Sequence, residues 1–131
     1  MPTLNQRQLN ALRKRLSERR CQVIEDIREA LARSNAELAA QLSDRVRDAG
    51  DESVADFLEA LDAALVDRDV QELRDIEAAL ARLDSGEINR CADCGDDIGY
   101  ERLSAFPTAT RCLRCQAMYE RTHAGPAGPS L

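Results

Sequence analysis

The sequence predicts a mainly α fold: a long antiparallel coiled-coil helical hairpin followed by a small cysteine-bearing module. Three observations carry this. Residues 5–47 contain neither Gly nor Pro. Apolar residues recur from Leu9 to Leu83 in steps that mostly fit one face of a helix. Four of the 5 cysteines fall close together near the C-terminus. Composition agrees. Aromatic residues make up only 3% of the 131 residues, with no Trp, which is little ring area for a conventional compact core. The prevalence of Ala, Leu, Glu, Asp and Arg suits helices packed along a seam. The length suits one domain, or a small domain with an extended appendage.

The first stripe is Leu9, Leu12, Leu16, Val23, Ile24, Ile27, Leu31, Leu38, Leu42 and Val46. A continuous helix over residues 5–47 would run for about 60 Å, a length usual in coiled coils. The segment 47–53 then breaks the pattern. Gly50 is the breaker, and Asp51 or Ser53 can cap the helix that follows. The second stripe is Val54, Leu58, Leu61, Leu65, Leu73, Ile76, Leu80 and Leu83, with a lapse around Arg68 and Asp69. Asp84-Ser85-Gly86 ends it, with Gly86 as the C-terminal cap. Two long helices joined by a few residues must lie antiparallel. Residues 1–86 are therefore expected to form the hairpin, with its tip near 47–53. The first helix is the longer, so its N-terminal part should run past the hairpin base and pack near the cysteine module.

Cys91 and Cys94 form one Cys-x2-Cys pair, and Cys112 and Cys115 form a second after 17 intervening residues. This spacing fits a zinc site. A two-residue gap lets two thiolates of one turn reach the same ion at about 2.3 Å, and two such turns close a tetrahedron. A redox pair or chance clustering explains two matched pairs less well. Four sulfur ligands leave no open position, so Zn²⁺ here is structural. Residues 87–123 are the expected zinc-finger module, with turns or short strands over 88–111 and a helix from Cys112 to about Thr122. Residues 124–131 are an expected disordered tail. His123, eight residues beyond Cys115, reads as exposed and not as a ligand. Arg90, Arg102, Arg111 and Arg114 flank the cysteines and can offset the charge of four thiolates on Zn²⁺, or simply lie on the surface. Cys21 is expected to be partly buried and inert. The alternative is a reactive thiol beside Arg19 and Arg20.

The net charge is −6, from 18 basic and 24 acidic residues. That balance opposes broad binding to a phosphate backbone. The basic run Arg7, Arg13, Lys14, Arg15, Arg19 and Arg20 reads as a solvated helix face. No run of 18 apolar residues exists, so no membrane span is expected. The N-terminus lacks an apolar signal region, and a cytoplasmic monomer is expected. No nucleophile–base pair or phosphate loop stands out, so an enzyme is not expected. The hairpin tip is acidic: Asp44, Asp48, Asp51, Glu52 and Asp56. Helix capping explains these acids. So does a probe that carries carboxylates into a basic or metal-bearing cavity of a larger machine.

The run from Cys91 to Cys115 resembles the zinc finger of the DksA/TraR family of bacterial transcription factors. Cys94-Gly95, Ile98, Arg102-Leu103 and Pro107-Thr108-Ala109 carry the resemblance, with Asp67-Arg68-Asp69 and the hairpin length. It implies a protein that binds RNA polymerase and not DNA. It implies a coiled coil inserted into the secondary channel of the enzyme, with a tip near the catalytic centre that alters the lifetime of promoter complexes. The tip residues this implies are Asp48, Asp51, Glu52, Ala55 and Asp56. The family's DxxDxA tip, aligned without gaps from Asp69, falls on Gly50, Ser53 and Ala55, so only the alanine is kept. Shifting the turn restores the aspartate spacing with Asp48 and Asp51, but then Ser53 replaces the alanine. Some members act with the alarmone ppGpp. The matching positions here are Glu77, Phe106 and Gln116, and none pairs with a phosphate as Arg or Lys would. Little response to ppGpp is therefore expected. Two other readings remain: a zinc-stapled protein–protein adaptor without action at the polymerase active site, and a nucleic-acid-binding finger, which the charge opposes.

Overall fold

The computed structural model describes residues 3–47, 54–60 and 67–123. Its elements are α1 (Gln6–Ser34), α2 (Ala36–Arg47), α3 (Val54–Ala60), α4 (Asp67–Ser85), α5 (Tyr100–Ala105) and α6 (Leu113–His123). A single β-bridge, Arg90 to Asp97, stands among the described residues outside the helices. The fold is mainly helical, with α1 paired to α4 and a C-terminal four-cysteine module. The tip segment with Asp48, Gly50, Asp51, Glu52 and Ser53, the seam positions Leu61 and Leu65, and the tail 124–131 lie outside the described residues.

Contacts divide the chain into two compact units, Met1–Arg13 with Ala79–Leu131, and Lys14–Ala78. In the second, most of the described stripe positions are core: Leu16, Val23, Ile24, Ile27, Leu31, Leu42, Val54, Leu58, Leu73 and Ile76 are buried, while Leu38 and Val46 are half-buried. Burying a side chain of that size contributes about 1.5–3 kcal/mol. Polar pairs flank the seam. Arg19 grips Glu72 with two hydrogen bonds, at 2.6 and 2.8 Å, and Arg20 reaches Glu77 at 3.4 Å. α2 and α3 pack together, with the Arg45 guanidinium 4.9 Å from the Phe57 ring centroid.

The expected single helix over 5–47 is two helices. Asn35 divides them, and its side-chain oxygen accepts the backbone N–H groups of Glu37 and Leu38 at 3.1 and 3.2 Å. An Asn offers the backbone this alternative to an uninterrupted ladder, and hydrophobic periodicity alone does not register it.

In the other unit, α1 starts with a reciprocal cap. Asn5 Oδ1 accepts the Gln8 N–H at 2.8 Å, and Gln8 Oε1 accepts the Asn5 N–H at 3.0 Å. Arg13 pairs with Asp84 at 2.8 Å. α4 ends at Gly86 as the sequence predicts. Gly86 has φ +82°, its N–H reaches the Leu83 carbonyl, and the Glu87 N–H reaches the Arg82 carbonyl at 2.8 Å. This pair of bonds closes the last turn and needs the left-handed conformation glycine supplies. The core of this unit is Leu12, Ala79, Leu83, Ile88, Cys91, Ile98, Leu103 and Ala109. α5 lies where only turns or strands were expected. It is 6 residues long with one buried side chain, Leu103, so it leaves no periodic trace.

Candidate metal centre

Two tight turns bring the cysteines together. In the first, Cys91 N–H donates to the Asp96 carbonyl at 2.8 Å and Gly95 N–H to the Cys91 carbonyl at 3.0 Å. Gly95 has φ +80°, which a residue with a Cβ adopts only under strain. Asn89 holds the far side, accepting Ile98 N–H on its carbonyl and Gly99 N–H on its side chain, both at 2.7 Å. The second pair is tied to the first by Ala92 N–H to the Thr110 carbonyl at 2.8 Å. Cys112 N–H also points to Cys91 Sγ at 3.3 Å.

The four Sγ atoms of Cys91, Cys94, Cys112 and Cys115 lie within 4.8 Å of one another, with Cys94 and Cys112 3.9 Å apart. Ligands at 2.3 Å on a tetrahedral Zn²⁺ stand about 3.8 Å apart, so the cluster fits that ion. Cys91 is buried, Cys112 and Cys115 are half-buried, and Cys94 is exposed. Their acidities diverge. Burial pushes the Cys91 thiol up, but hydrogen bonds from the backbone of Cys94, Cys112 and Asp93 outweigh it and pull the thiol down to about 6. Cys115 is pushed up to about 12 by desolvation and by its hydrogen bonds and like charges within the cluster.

Of the flanking arginines, Arg114 faces the sulfurs. Its pKa is raised by a hydrogen bond to Cys94 and by the charges of Cys94, Cys112 and Cys115. Arg111 instead pairs with Asp93 at 2.8 Å, Arg102 Nε donates to the Arg111 carbonyl at 2.9 Å, and Arg90 approaches Glu87 at 3.8 Å. The aspartates between and beside the ligands, Asp93 and Asp96, were not singled out in the sequence. Their opposite charge to Arg111 and Arg114 was the available signal.

Of the other expected site residues, Ala55 and Asp56 are neighbours in α3. Ala55 is fully buried in α3. Asp56 is exposed and pairs with Arg74 at 3.3 Å. Asp48, Asp51 and Glu52 lie outside the described residues. Cys21 is exposed and not partly buried as expected; it falls between the seam positions Leu16 and Val23. His123 is exposed, as expected, and stacks on Tyr119. Among the described residues, no helix is long and apolar enough to cross a membrane.

Residues 85–121 match the family described as prokaryotic dksA/traR C4-type zinc finger. The chain is 30% identical over 122 residues to the RNA polymerase-binding transcription factor DksA of Caulobacter vibrioides, covering 92% of this chain and 81% of that protein. It is 29% identical over 117 residues to the factor of the same name from Haemophilus influenzae, covering 89% and 77%. The solved structure of transcription factor DksA2 from Pseudomonas aeruginosa superposes with a TM-score of 0.62 at 26% identity, covering 90% of this chain and 87% of that one. These relatives are named as transcription factors. The C4 description and the clustered sulfurs together identify the cofactor as Zn²⁺.

Proposed function

The chain belongs to the DksA/TraR family, and on that premise we propose that it is a bacterial transcription regulator that binds RNA polymerase and inserts the acidic tip of its helical hairpin into the secondary channel, modulating promoter complexes. The observation that carries this reading is the similarity to polymerase-binding relatives over 92% of the chain, helices and cysteine cluster alike. The net charge of −6 agrees with a protein partner and opposes direct DNA binding.

The residues divide the work as follows. Cys91, Cys94, Cys112 and Cys115 hold Zn²⁺, which supplies a structural staple. The module and α6 dock on the rim of the polymerase. Leu113 and Met118 are available for contact there, being 69% and 51% exposed. The α1·α4 pair carries the tip. The carboxylates of Asp48, Asp51, Glu52 and Asp56 bias the mobile catalytic elements or the bound metal electrostatically, and Ala55, buried in α3, anchors that helix. Glu77, which pairs with Arg20, Phe106, and Gln116, which donates to Glu120, are not cations and cannot pair with a phosphate of ppGpp as Arg or Lys would, so the response to that alarmone is small. The protein acts in the cytoplasm as a monomer.

A second reading, a zinc-stapled protein–protein adaptor, draws on the exposed Phe106, Leu113, Met118 and Tyr119. Replacing the tip charges separates the two. With D48N, D51N and E52Q combined, regulation in a purified transcription assay should be largely lost while binding to the polymerase persists. Regulation that survives the triple substitution would favour the adaptor. The wild-type effect should also weaken as salt screens the tip charges.

A further inference from the structure

Helix α6 buries none of its side chains. A helix of 11 residues has little stability of its own in water. The cysteines fix only its start, because Cys112 precedes it and Cys115 lies in its first turn. The later turns need another hold. The Arg111 guanidinium lies over the Tyr119 ring, 3.9 Å from its centroid. The same side chain donates from Nε to Asp93 at 2.8 Å, and Asp93 sits between Cys91 and Cys94. The Arg111 backbone carbonyl accepts a hydrogen bond from Arg102 Nε of α5. Arg111 is half-buried, its side chain 25% exposed. Arg114 also reaches out from this helix, but it lies in the first turn beside Cys115: it meets Asp96 at 3.5 Å with both side chains at least 70% exposed, a weak tether, and its hydrogen bond to Cys94 holds only the helix start.

We infer that Arg111 is a positioning residue that sets the direction of α6 against the first cysteine turn, with Asp93 and Tyr119 as its two grips. A guanidinium suits the task because its plane stacks on a ring while its edge keeps donors for a carboxylate. An ammonium does one or the other. The functional consequence rests on the polymerase reading above: a held α6 presents Leu113 and Met118 to the partner without first having to order the helix.

The test is amide hydrogen exchange across α6 in the zinc-loaded full chain, read beside zinc content and affinity for core RNA polymerase. R111A and Y119A should each speed exchange over residues 116–123 by about threefold to tenfold, the range of a stack of this kind, with zinc content unchanged. Y119F, which keeps the ring, should exchange like the wild type. The R111A/Y119A double variant should exchange no faster than either single one. Polymerase affinity should fall by a similar factor. If R111A sheds zinc, Y119A, which lies away from the cysteine turns, decides alone. Unchanged exchange in Y119A, or a double variant with additive effects, overturns the clamp. A wild-type chain that does not bind polymerase, while Y119A still loosens α6, removes the polymerase reading and leaves the clamp standing.

Discussion

The paired helices and the cysteine module hold their shape by different means. In the unit Lys14–Ala78 a seam of Leu, Ile and Val side chains is buried in succession, and each contributes its own increment. Residues 87–123 bury only Ile88, Cys91, Ile98, Leu103 and Ala109 among their apolar side chains. That is too little to offset the entropy of fixing the segment. Zinc closes the difference, because its binding free energy is folding free energy. Damage along the helices should therefore be graded, and damage at the metal should be all-or-none.

The largest effect is expected at the cysteines. C91S, or removal of zinc with a chelator, should unfold the module while α1 and α4 stay helical in the circular dichroism spectrum. The energy at stake is about 10–16 kcal/mol, the range for structural zinc at neutral pH. Loss of all helix on chelation would show that the two regions are not separable. Acid should act in the same direction, since zinc needs thiolates. Cys91, with its pKa pulled from 9.0 down to about 6, contributes stability that is full above its unfolded pKa and lost as pH falls through about 6. Metal titration between pH 8 and pH 6 should therefore show affinity falling with pH. An affinity that stays flat would mean the thiols are not the ligands.

A smaller effect is expected in the seam. L73A removes a side chain with no exposed surface and should cost about 2–5 kcal/mol in a denaturant melt, with zinc content unchanged. N35A is smaller still. Losing the cap at the start of α2 should cost about 0.5–2 kcal/mol. A gain in stability would instead mean that the α1–α2 break is imposed on a segment that prefers to run on.

How much was legible in the sequence differs between the same two regions. Spacing alone located the cysteine cluster, because ligand geometry leaves little choice once two Cys-x2-Cys pairs exist. The seam was legible for the same reason of periodicity, and Gly86 for its left-handed turn. The break at Asn35 was not, since a single capping side chain leaves the hydrophobic pattern intact. α5 was missed because one buried leucine makes no pattern. The exposure of Cys21 depends on which face of α1 meets the seam, and the Asp93–Arg111–Tyr119 chain depends on residues distant in sequence.

The central claim is that this acidic helical protein engages RNA polymerase through its secondary channel. The most direct measurement is equilibrium binding of the zinc-loaded chain to purified core RNA polymerase, with and without a known secondary-channel competitor. Saturable binding that the competitor abolishes is the expected result. Binding that the competitor leaves untouched, or no binding by a chain shown to carry zinc, would contradict the claim.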